Sequence, residues 1–436
     1  MTADLATLYA AHLAALQAAH DRLLADHQLD ALIVAAGRPA LVNRFDDRYW
    51  PLAPTPTFAH WLPLPEADAV LVIRAGARPR LVRVATADFW ESPPPLEADH
   101  FWSGFEVVAV HTPEAIAGHL PTGRVAVIAS DELAFAAPGP LNPPAVVAAV
   151  HAVRTRKTPY ELACLTEATR RAVRGHRAAA SRFAADAPSE LGLLLAYLDA
   201  SAQDATATPY ASIVARGRNA AVLHHVHYAR RAPAAAADSL LVDAGASYLG
   251  YASDITRTWV RGDGEGAALF AALVDGVDRL QRQVCGLIVP GLEYEALHDR
   301  SHELLAALLV ELGIGKAPAD TLVARGVTRA LFPHGLGHSL GLQVHDVGMK
   351  PRAPRPDNPF LRNTSVIEVG QVFTIEPGCY VIDQLLAPLR ADDRASLVDW
   401  AAIDRLRPFG GVRIEDDVVV TDAGIRNLTR EAWELA

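Results

Sequence analysis

The sequence predicts two domains, an α/β domain in the N-terminal part and an α+β domain in the C-terminal part. The chain has 436 residues, 51% of them hydrophobic and 21% charged, which is too long for one ordinary core and typical of a well-buried globular protein. Between residues 32 and 154, strand-like apolar runs alternate with helical patterns, as in α/β domains. After residue 156, pairs of long helical patterns have strands on both sides.

The N-terminal domain is assigned to residues 1–155. Strand-like runs are predicted at 32–36, 69–74, 80–85, 107–110 and 124–129, and helices at 3–27, 113–120 and 144–154. The aromatic and proline-rich passage 45–65 contains Trp50, Phe58 and Trp61, which we predict to be core or interface residues because large aromatics dominate both. This domain has no evident constellation of catalytic groups.

The C-terminal domain is assigned to residues 156–436. Its first helix has a clear start signal, because Thr158 can cap it and its first turn contains Pro159 and Glu161. Helices are predicted at 160–184, 188–200, 266–286 and 292–313, and strands at 211–215, 239–242, 255–260, 372–375, 412–414 and 417–421.

Charge and cysteine content exclude several classes of protein. A formal net charge of −10 argues against general affinity for nucleic acid or an anionic membrane. The three cysteines, Cys164, Cys285 and Cys379, form no CxxC pair, which fits a reducing compartment and excludes a cysteine-based zinc cluster. No secretory leader and no apolar window of about 20 residues is visible, so we expect a cytoplasmic protein without nucleic-acid or membrane partners.

The segment 333–346 is the first candidate for chemistry. It combines three histidines with three glycines: His334, His338, His345, Gly335, Gly337 and Gly341. Glycine is costly in a helix, but it suits a backbone that must bend or approach another group closely. Imidazoles on such a loop can bind metal or transfer protons. A histidine-rich surface loop is the alternative interpretation.

Four carboxylates adjoin apolar strand-like runs, and they favour the metal interpretation. These residues are Asp243, Asp254, Glu376 and Glu415. A hairpin-like turn containing Gly245 would bring the two aspartates together, and two such groups in a dry site require a cation. Four carboxylates with an imidazole suit Mn²⁺, Co²⁺, Fe²⁺ or Zn²⁺, and their charge fits two ions better than one. For any single acid, a salt bridge at a strand end is the alternative.

With these residues identified, the sequence resembles the proline-specific branch of the pita-bread dinuclear metallopeptidases, and within it the bacterial Xaa-Pro dipeptidases, or prolidases. The matching stretches occur in the family's order at 219–224, 242–245, 254–258, 333–338, 344–347, 374–378, 380–390 and 411–416. A weaker match at 45–51 implies the family's extra N-terminal domain. The resemblance implies a C-terminal domain of pita-bread type, an antiparallel sheet covered by paired helices, and a homodimer.

The resemblance also implies a ligand set and a reaction. Asp243 would bind one metal, Asp254 and Glu415 would bridge two, and His338 and Glu376 would complete the second. Mn²⁺ is the expected ion, with Co²⁺, Fe²⁺ or Zn²⁺ as alternatives. A hydroxide bridging the two metals would attack the peptide bond before proline in an Xaa-Pro dipeptide, and Glu376 would transfer the proton.

Further residues would bind the substrate or support the site. His345 and His224 are expected to contact the substrate carbonyl and the tetrahedral intermediate, and Arg390 and Arg362 the C-terminal carboxylate. Two other residues are placed near the site by the same resemblance, His334 without being a ligand and Arg413 as a support.

Two departures from the family pattern and two rival functions accompany this interpretation. Ser339 follows the ligand histidine where a bulkier residue or proline is expected, and His225 stands where tyrosine is commoner. The nearest rival is an aminopeptidase that acts before proline in longer peptides. The other is a metal-free pita-bread domain that binds a partner, which is disfavoured because all five ligand positions are filled.

Overall fold

The structure is a computed structural model that describes residues 4–85, 99–130, 133–186, 188–233 and 238–435. The chain divides into two compact units, Met1–Ala163 and Cys164–Ala436. Among the described residues, no helix has both the length and the apolar character needed to cross a membrane.

The N-terminal unit contains a five-stranded mixed sheet. Its helices are α1 (Leu5–Asp26), α2 (Pro56–Ala59) and α3 (Pro144–Val153), and its strands are β1 (Ala31–Ala35), β2 (Val70–Ile73), β3 (Arg80–Val84), β4 (Glu106–Val110) and β5 (Val125–Ile128). The strand order is β4-β3-β2-β1-β5, with β1–β5 and β3–β4 parallel and the other pairs antiparallel. The helix predicted at 113–120 is a 3₁₀ helix, Pro113–His119.

Burial explains why the central strands β1 and β2 could be predicted from the sequence. Every residue of β1 and β2 is buried, so both strands appear in the sequence as continuous apolar runs. Phe58 and Trp61 belong to the core, as predicted, whereas 54% of the Trp50 surface is exposed.

The C-terminal unit alternates helices with short strands. Helix α4 (Pro159–Ala185) contains the boundary between the units. The other helices are α5 (Glu190–Ser201), α6 (Glu265–Gly286), α7 (Tyr294–Glu311), α8 (Ala319–Ala324), α9 (Val327–Leu331), α10 (Asp383–Ala391), α11 (Trp400–Leu406) and α12 (Leu428–Leu435). The strands are β6 (Ile213–Arg216), β7 (Asp238–Asp243), β8 (Ser247–Tyr248), β9 (Tyr251–Ala252), β10 (Thr256–Arg261), β11 (Val372–Ile375), β12 (Gly378–Tyr380), β13 (Gly411–Arg413), β14 (Asp416–Thr421) and β15 (Gly424–Asn427).

All described strand pairings in this unit are antiparallel. The orders are β10-β7-β6 and β11-β14-β15, with two-stranded pairs β12-β13 and β8-β9. Helix α6 buries one face, on which Phe270, Leu273 and Val277 recur at helical spacing, and this face joins the same core as residues of α7 and β11. Antiparallel strands covered by a helix pair are the arrangement that the resemblance implied.

Candidate metal centre

The first two predicted ligands meet at one end of the β7–β10 pair. Asp243 is the last residue of β7 and pairs in register with Thr256, two positions after Asp254. The Ala244 N–H donates to the Ile255 carbonyl oxygen at 3.0 Å, which closes the hairpin-like turn predicted from the sequence. Gly245 is required there because a side chain would overlap the Ser253 carbonyl.

The next two predicted ligands lie at the facing ends of another antiparallel pair. Ile375 of β11 pairs with Asp416 of β14, so that Glu376 directly follows one strand and Glu415 directly precedes the other. An isolated bridge joins Glu415 to Thr256, and the Glu415 N–H donates to the Thr256 carbonyl oxygen at 3.1 Å. Both strand pairs therefore end at the same place.

The histidine loop is held against β11 by its own backbone. The Thr374 N–H donates to the His338 carbonyl oxygen at 2.9 Å, and the Glu376 N–H donates to that of Leu336 at 2.8 Å. A side chain at Gly337 would overlap the Thr374 carbonyl. The glycines therefore allow the close backbone approach that the sequence suggested.

These elements bring the predicted ligands together. One ligand atom from each of Asp254, His338 and Glu415 lies within 4.8 Å of the others, and all three side chains are buried. His338 Nε2 is 3.4 Å from Asp254 Oδ2 and 3.7 Å from Glu376 Oε1. The Tyr210 hydroxyl, 2.8 Å from Asp243 Oδ1 and hydrogen-bonded to Asp254, links the fifth ligand to this group.

Hydrogen bonds from neighbouring side chains hold two of the carboxylates, Asp243 and Glu415, in position. Arg413 Nη2 donates to Asp243 Oδ2 at 2.5 Å, and Thr256 Oγ1 donates to Glu415 Oε2 at 2.6 Å. Thr256 lies within a recognised motif, but no role was predicted for it. Tyr210 was also missed, because a tyrosine in an irregular segment before β6 carries no signal of spacing or periodicity.

The electrostatics of the cluster fit bound cations. Burial, together with neighbouring carboxylates, raises the pKa of Asp254, raises that of Glu376 to about 7, and raises that of Glu415 well above its usual value. Although burial would lower the pKa of His338, the adjacent Asp254 and Glu376 raise it to about 9. Four carboxylates and one imidazole in so small a volume form a donor set that suits two divalent cations.

His334 and Arg413 have protein partners. His334 Nδ1 donates to the Gly335 carbonyl oxygen at 2.9 Å, and its Nε2 lies 2.8 Å from the Tyr380 hydroxyl. Arg413 donates to the same hydroxyl at 2.8 Å and to Thr256 Oγ1 at 3.1 Å. Both side chains therefore support the centre, and both nitrogens of His334 are occupied.

Three predicted substrate residues, His345, His224 and Arg362, are exposed, and His345 contacts the cluster. The His345 ring packs edge-on against His338, with a centroid distance of 4.4 Å. Partial burial of the ring, and then the charges of His338, Arg362 and His224, lower the pKa of His345. Ser339 stabilises the loop between the two histidines, because its hydroxyl donates to the Asp346 carbonyl.

Arg390 has different neighbours. Its guanidinium lies 3.6 Å from Asp404 Oδ1 and 5.0 Å from the centroid of the Trp400 ring, and the side chain is about half exposed. Among the described residues, no contact joins it to the carboxylate cluster, and its role with substrate stays a prediction.

A second His–Glu group, in the N-terminal unit, has a structural role. His12 Nδ1 accepts from Thr158 Oγ1 at 2.8 Å, while its Nε2 donates to the His60 carbonyl oxygen at 2.7 Å. Glu161 accepts from the Thr158 N–H at 2.8 Å, which gives the capping box expected at this helix start. Neither nitrogen of His12 is left for a cation.

Comparison with known proteins decides the family. The model of metallopeptidase family M24 matches residues 163–422, and that of the Xaa-Pro dipeptidase N-terminal domain matches residues 7–151. The chain belongs to metallopeptidase family M24. This M24 chain is 43% identical over 432 residues to an Xaa-Pro dipeptidase of Marinobacter nauticus, covering 98% of the chain and 99% of the relative. It is 41% identical over 441 residues to that of Aeromonas hydrophila, with 98% of each covered.

Solved structures of related M24 proteins have the same fold. Zinc-substituted aminopeptidase P of Escherichia coli, in complex with product, gives a TM-score of 0.73 at 25% identity and covers 96% of this chain and 95% of its own. The Pseudomonas aeruginosa aminopeptidase PepP gives 0.73 at 24% identity, covering 99% and 96%. The predicted fold class, the family resemblance and the assignment as a metallopeptidase are confirmed.

Proposed function

We propose that this M24 chain is an Xaa-Pro dipeptidase that works with two divalent cations. The ligands would be Asp243, Asp254, His338, Glu376 and Glu415. The observation that carries the proposal is the convergence of Asp254, His338 and Glu415, from three separate elements, to within 4.8 Å of one another. The names of the relatives at 38–43% identity support the dipeptide specificity.

The side chains around the cluster have defined tasks in this reaction. When bound, the two cations would acidify a shared water, so that hydroxide is available near neutral pH, and would polarise the scissile carbonyl. Glu376 is partly open to solvent and lies beside His338, where it can take the water's proton and deliver it to the prolyl nitrogen. His345, whose ring packs edge-on against His338, and the exposed His224 would donate hydrogen bonds to the developing oxyanion.

Substrate length is the second part of the proposal. Arg362, which is exposed, would bind the C-terminal carboxylate of a dipeptide by charge-assisted hydrogen bonds and so restrict substrate length. Mn²⁺ as the metal, a homodimer and a cytoplasmic location remain predictions from the sequence.

An aminopeptidase acting before proline in longer peptides is the second candidate. Its support is the fold similarity to aminopeptidase P over 96% of the chain. Initial rates with Xaa-Pro and with Xaa-Pro-Xaa-Xaa at equal concentration separate the two functions. A dipeptidase hydrolyses the first and barely acts on the second.

Metal removal tests the proposal directly. Protein dialysed against chelator is expected to lose hydrolysis of Xaa-Pro dipeptides and to regain it when Mn²⁺ is added. Without metal, the side chains alone would not acidify water enough to provide hydroxide near neutral pH. A sample carried through dialysis without chelator is the control. Activity that persists in metal-free protein would rule out the mechanism.

A further inference from the structure

A single buried carboxylate organises the segment that carries His224. Glu190, the first residue of α5, is only 1% exposed and accepts four hydrogen bonds. Its Oε1 accepts from the Arg216 N–H at 2.9 Å and from Asn219 Nδ2 at 2.8 Å. Its Oε2 accepts from the Ala229 N–H at 2.7 Å and from His225 Nε2 at 2.9 Å.

The four donors lie on both sides of His224. Arg216 ends β6, and Asn219 follows it in a 3₁₀ turn, Gly217–Ala221. Ala229 closes the segment, and its carbonyl oxygen also accepts from the Leu191 N–H at 3.2 Å. The backbone of 216–229 is thus tied to the start of α5 at both ends.

Adjacent histidines of this segment have opposite surroundings. The His225 side chain is 12% exposed and hydrogen-bonded to Glu190, whereas His224 is exposed. The turn Gly217–Ala221 packs against the start of β13, since a Cβ on Gly411 would lie 3.0 Å from the Ala220 carbonyl oxygen. Strand β13 ends at Arg413, which donates to Asp243, so the segment that carries His224 lies against the candidate metal centre. The His225 side chain is therefore engaged by Glu190, whereas that of His224 is open to solvent.

We propose that the Glu190–His225 pair is a clamp that holds His224 in its working position beside the candidate centre. The inference rests on the proposed function, because it assigns a positioning residue to the same reaction. A displacement of about 1 Å of a group that stabilises a transition state can lower the rate roughly a hundredfold. The clamp should therefore be visible in kcat, while KM, to which Arg362 contributes, stays nearly constant.

His225→Phe is the informative variant, because it removes one donor and keeps a ring of similar size. The other three hydrogen bonds to Glu190 remain, whereas Glu190→Ala would remove all four and affect folding. His225→Gln restores a side-chain N–H donor. His227→Phe is the matched control, since His227 is exposed two positions along the same segment.

Steady-state kinetics with an Xaa-Pro dipeptide and Mn²⁺-loaded protein test the clamp. We expect His225→Phe to lower kcat roughly tenfold to a hundredfold with little change in KM, His225→Gln to recover most of the loss, and His227→Phe to match the parent protein. In a His224→Ala background, His225→Phe should produce no further loss, because the two changes act through one group. An unchanged kcat, or an equal additional loss in that background, overturns the proposal.

A measurement without substrate or metal separates the clamp from the proposed function. Hydrogen exchange of peptides covering 213–230 should become faster in His225→Phe, and not in His225→Gln or His227→Phe. Unchanged exchange in His225→Phe overturns the clamp whatever the enzyme hydrolyses. An inactive parent protein that shows the expected exchange pattern rejects the dipeptidase assignment and leaves the clamp itself supported.

Discussion

Asp254 makes polar contacts through both its carboxylate and its backbone N–H. Its carboxylate lies 3.4 Å from His338 Nε2 and is hydrogen-bonded to Tyr210, while its backbone N–H donates to Asp417 Oδ1 at 3.2 Å. Asp417 is buried and also accepts from Thr169 Oγ1 at 3.1 Å. The position of Asp254 is thus fixed through both its carboxylate and its backbone, as its predicted role of bridging two cations would require.

Asp254→Asn tests this residue with almost no change in shape. The amide removes one negative charge and one ligand oxygen, so we expect both metal content and turnover to fall by more than about tenfold. Elemental analysis and a dipeptide assay measure the two effects. Asp263→Asn, the same change at an exposed position, is the control, and normal metal content in Asp254→Asn would contradict the ligand assignment.

The two arginines predicted to bind the substrate carboxylate allow a second prediction at the scale of single residues. Arg362 is exposed and its charge contributes to lowering the pKa of His345, after burial, whereas Arg390 contacts Asp404 and Trp400. Loss of a charge-assisted hydrogen bond costs about 1.5–3 kcal/mol, so Arg362→Met should raise KM for dipeptides roughly tenfold or more. Arg390→Met should raise it less. The opposite order in measured KM values would exchange the roles of the two residues.

At the scale of elements, the site depends on how tightly the histidine loop packs on β11. Gly337 has no room for a methyl group between the Thr374 carbonyl and the Tyr294 hydroxyl. Gly286, at the end of α6, has nothing within 4 Å of an added Cβ. The two glycines therefore differ in what an alanine would encounter.

Gly337→Ala is expected to destabilise the protein and to weaken metal binding. Forcing a methyl group into a filled position costs about 1–3 kcal/mol and would push His338 away from its neighbours. Gly286→Ala should be neutral or slightly stabilising, since it adds helix propensity in open space. Thermal unfolding with and without Mn²⁺ compares them, and equal behaviour of the two variants would show that the loop tolerates movement.

Element prediction from the sequence succeeded where burial produces long or continuous patterns. Helices α6 and α7, and the fully buried strands β1 and β7, have strong apolar signals, and the acids Asp243 and Glu376 stand at strand ends as expected. The short α10 has a proline inside it, and β8 and β9 contain two residues each, so none of the three was predictable from periodicity.

Contacts that join distant parts of the chain were beyond sequence reasoning. Tyr210 approaches Asp243 and Asp254 because β6, which follows it, pairs with β7. The residues around Tyr210 contain no sequence pattern that predicts this pairing. Glu190 likewise reads as an ordinary first-turn helix acid, although its carboxylate binds four donors from 216–229. Recognised motifs identified the candidate ligands, and only the tertiary structure revealed the residues that support them.

On the scale of the whole molecule, buried imidazoles make stability depend on pH. Burial lowers the pKa of His20, His176 and His298 to about 4, from an ordinary value near 6.5. The unfolded chain therefore binds protons below about pH 6.5 that the folded chain does not. The contribution of these groups is fully present above pH 6.5 and is lost progressively as the pH falls toward 4.

His20 allows this effect to be measured at one position. A pKa lower by two to three units corresponds to roughly 2 kcal/mol of stability lost between pH 7 and pH 5. His20→Leu, which keeps the site apolar and cannot titrate, should reduce the loss by about that amount. Denaturant unfolding of both proteins at the two pH values gives the comparison, and parallel losses would contradict the assigned burial effect.

The order of the five candidate ligands along the polypeptide has a consequence for how the enzyme matures in the cell. Asp243 and Asp254 leave the ribosome early, but Glu376 and Glu415 follow only after the helices and the histidine loop between them. A nascent chain that ends before Glu415 lacks one of the five candidate metal ligands. Cation capture would then be a late event, completed after β14 has been synthesised and paired with β11.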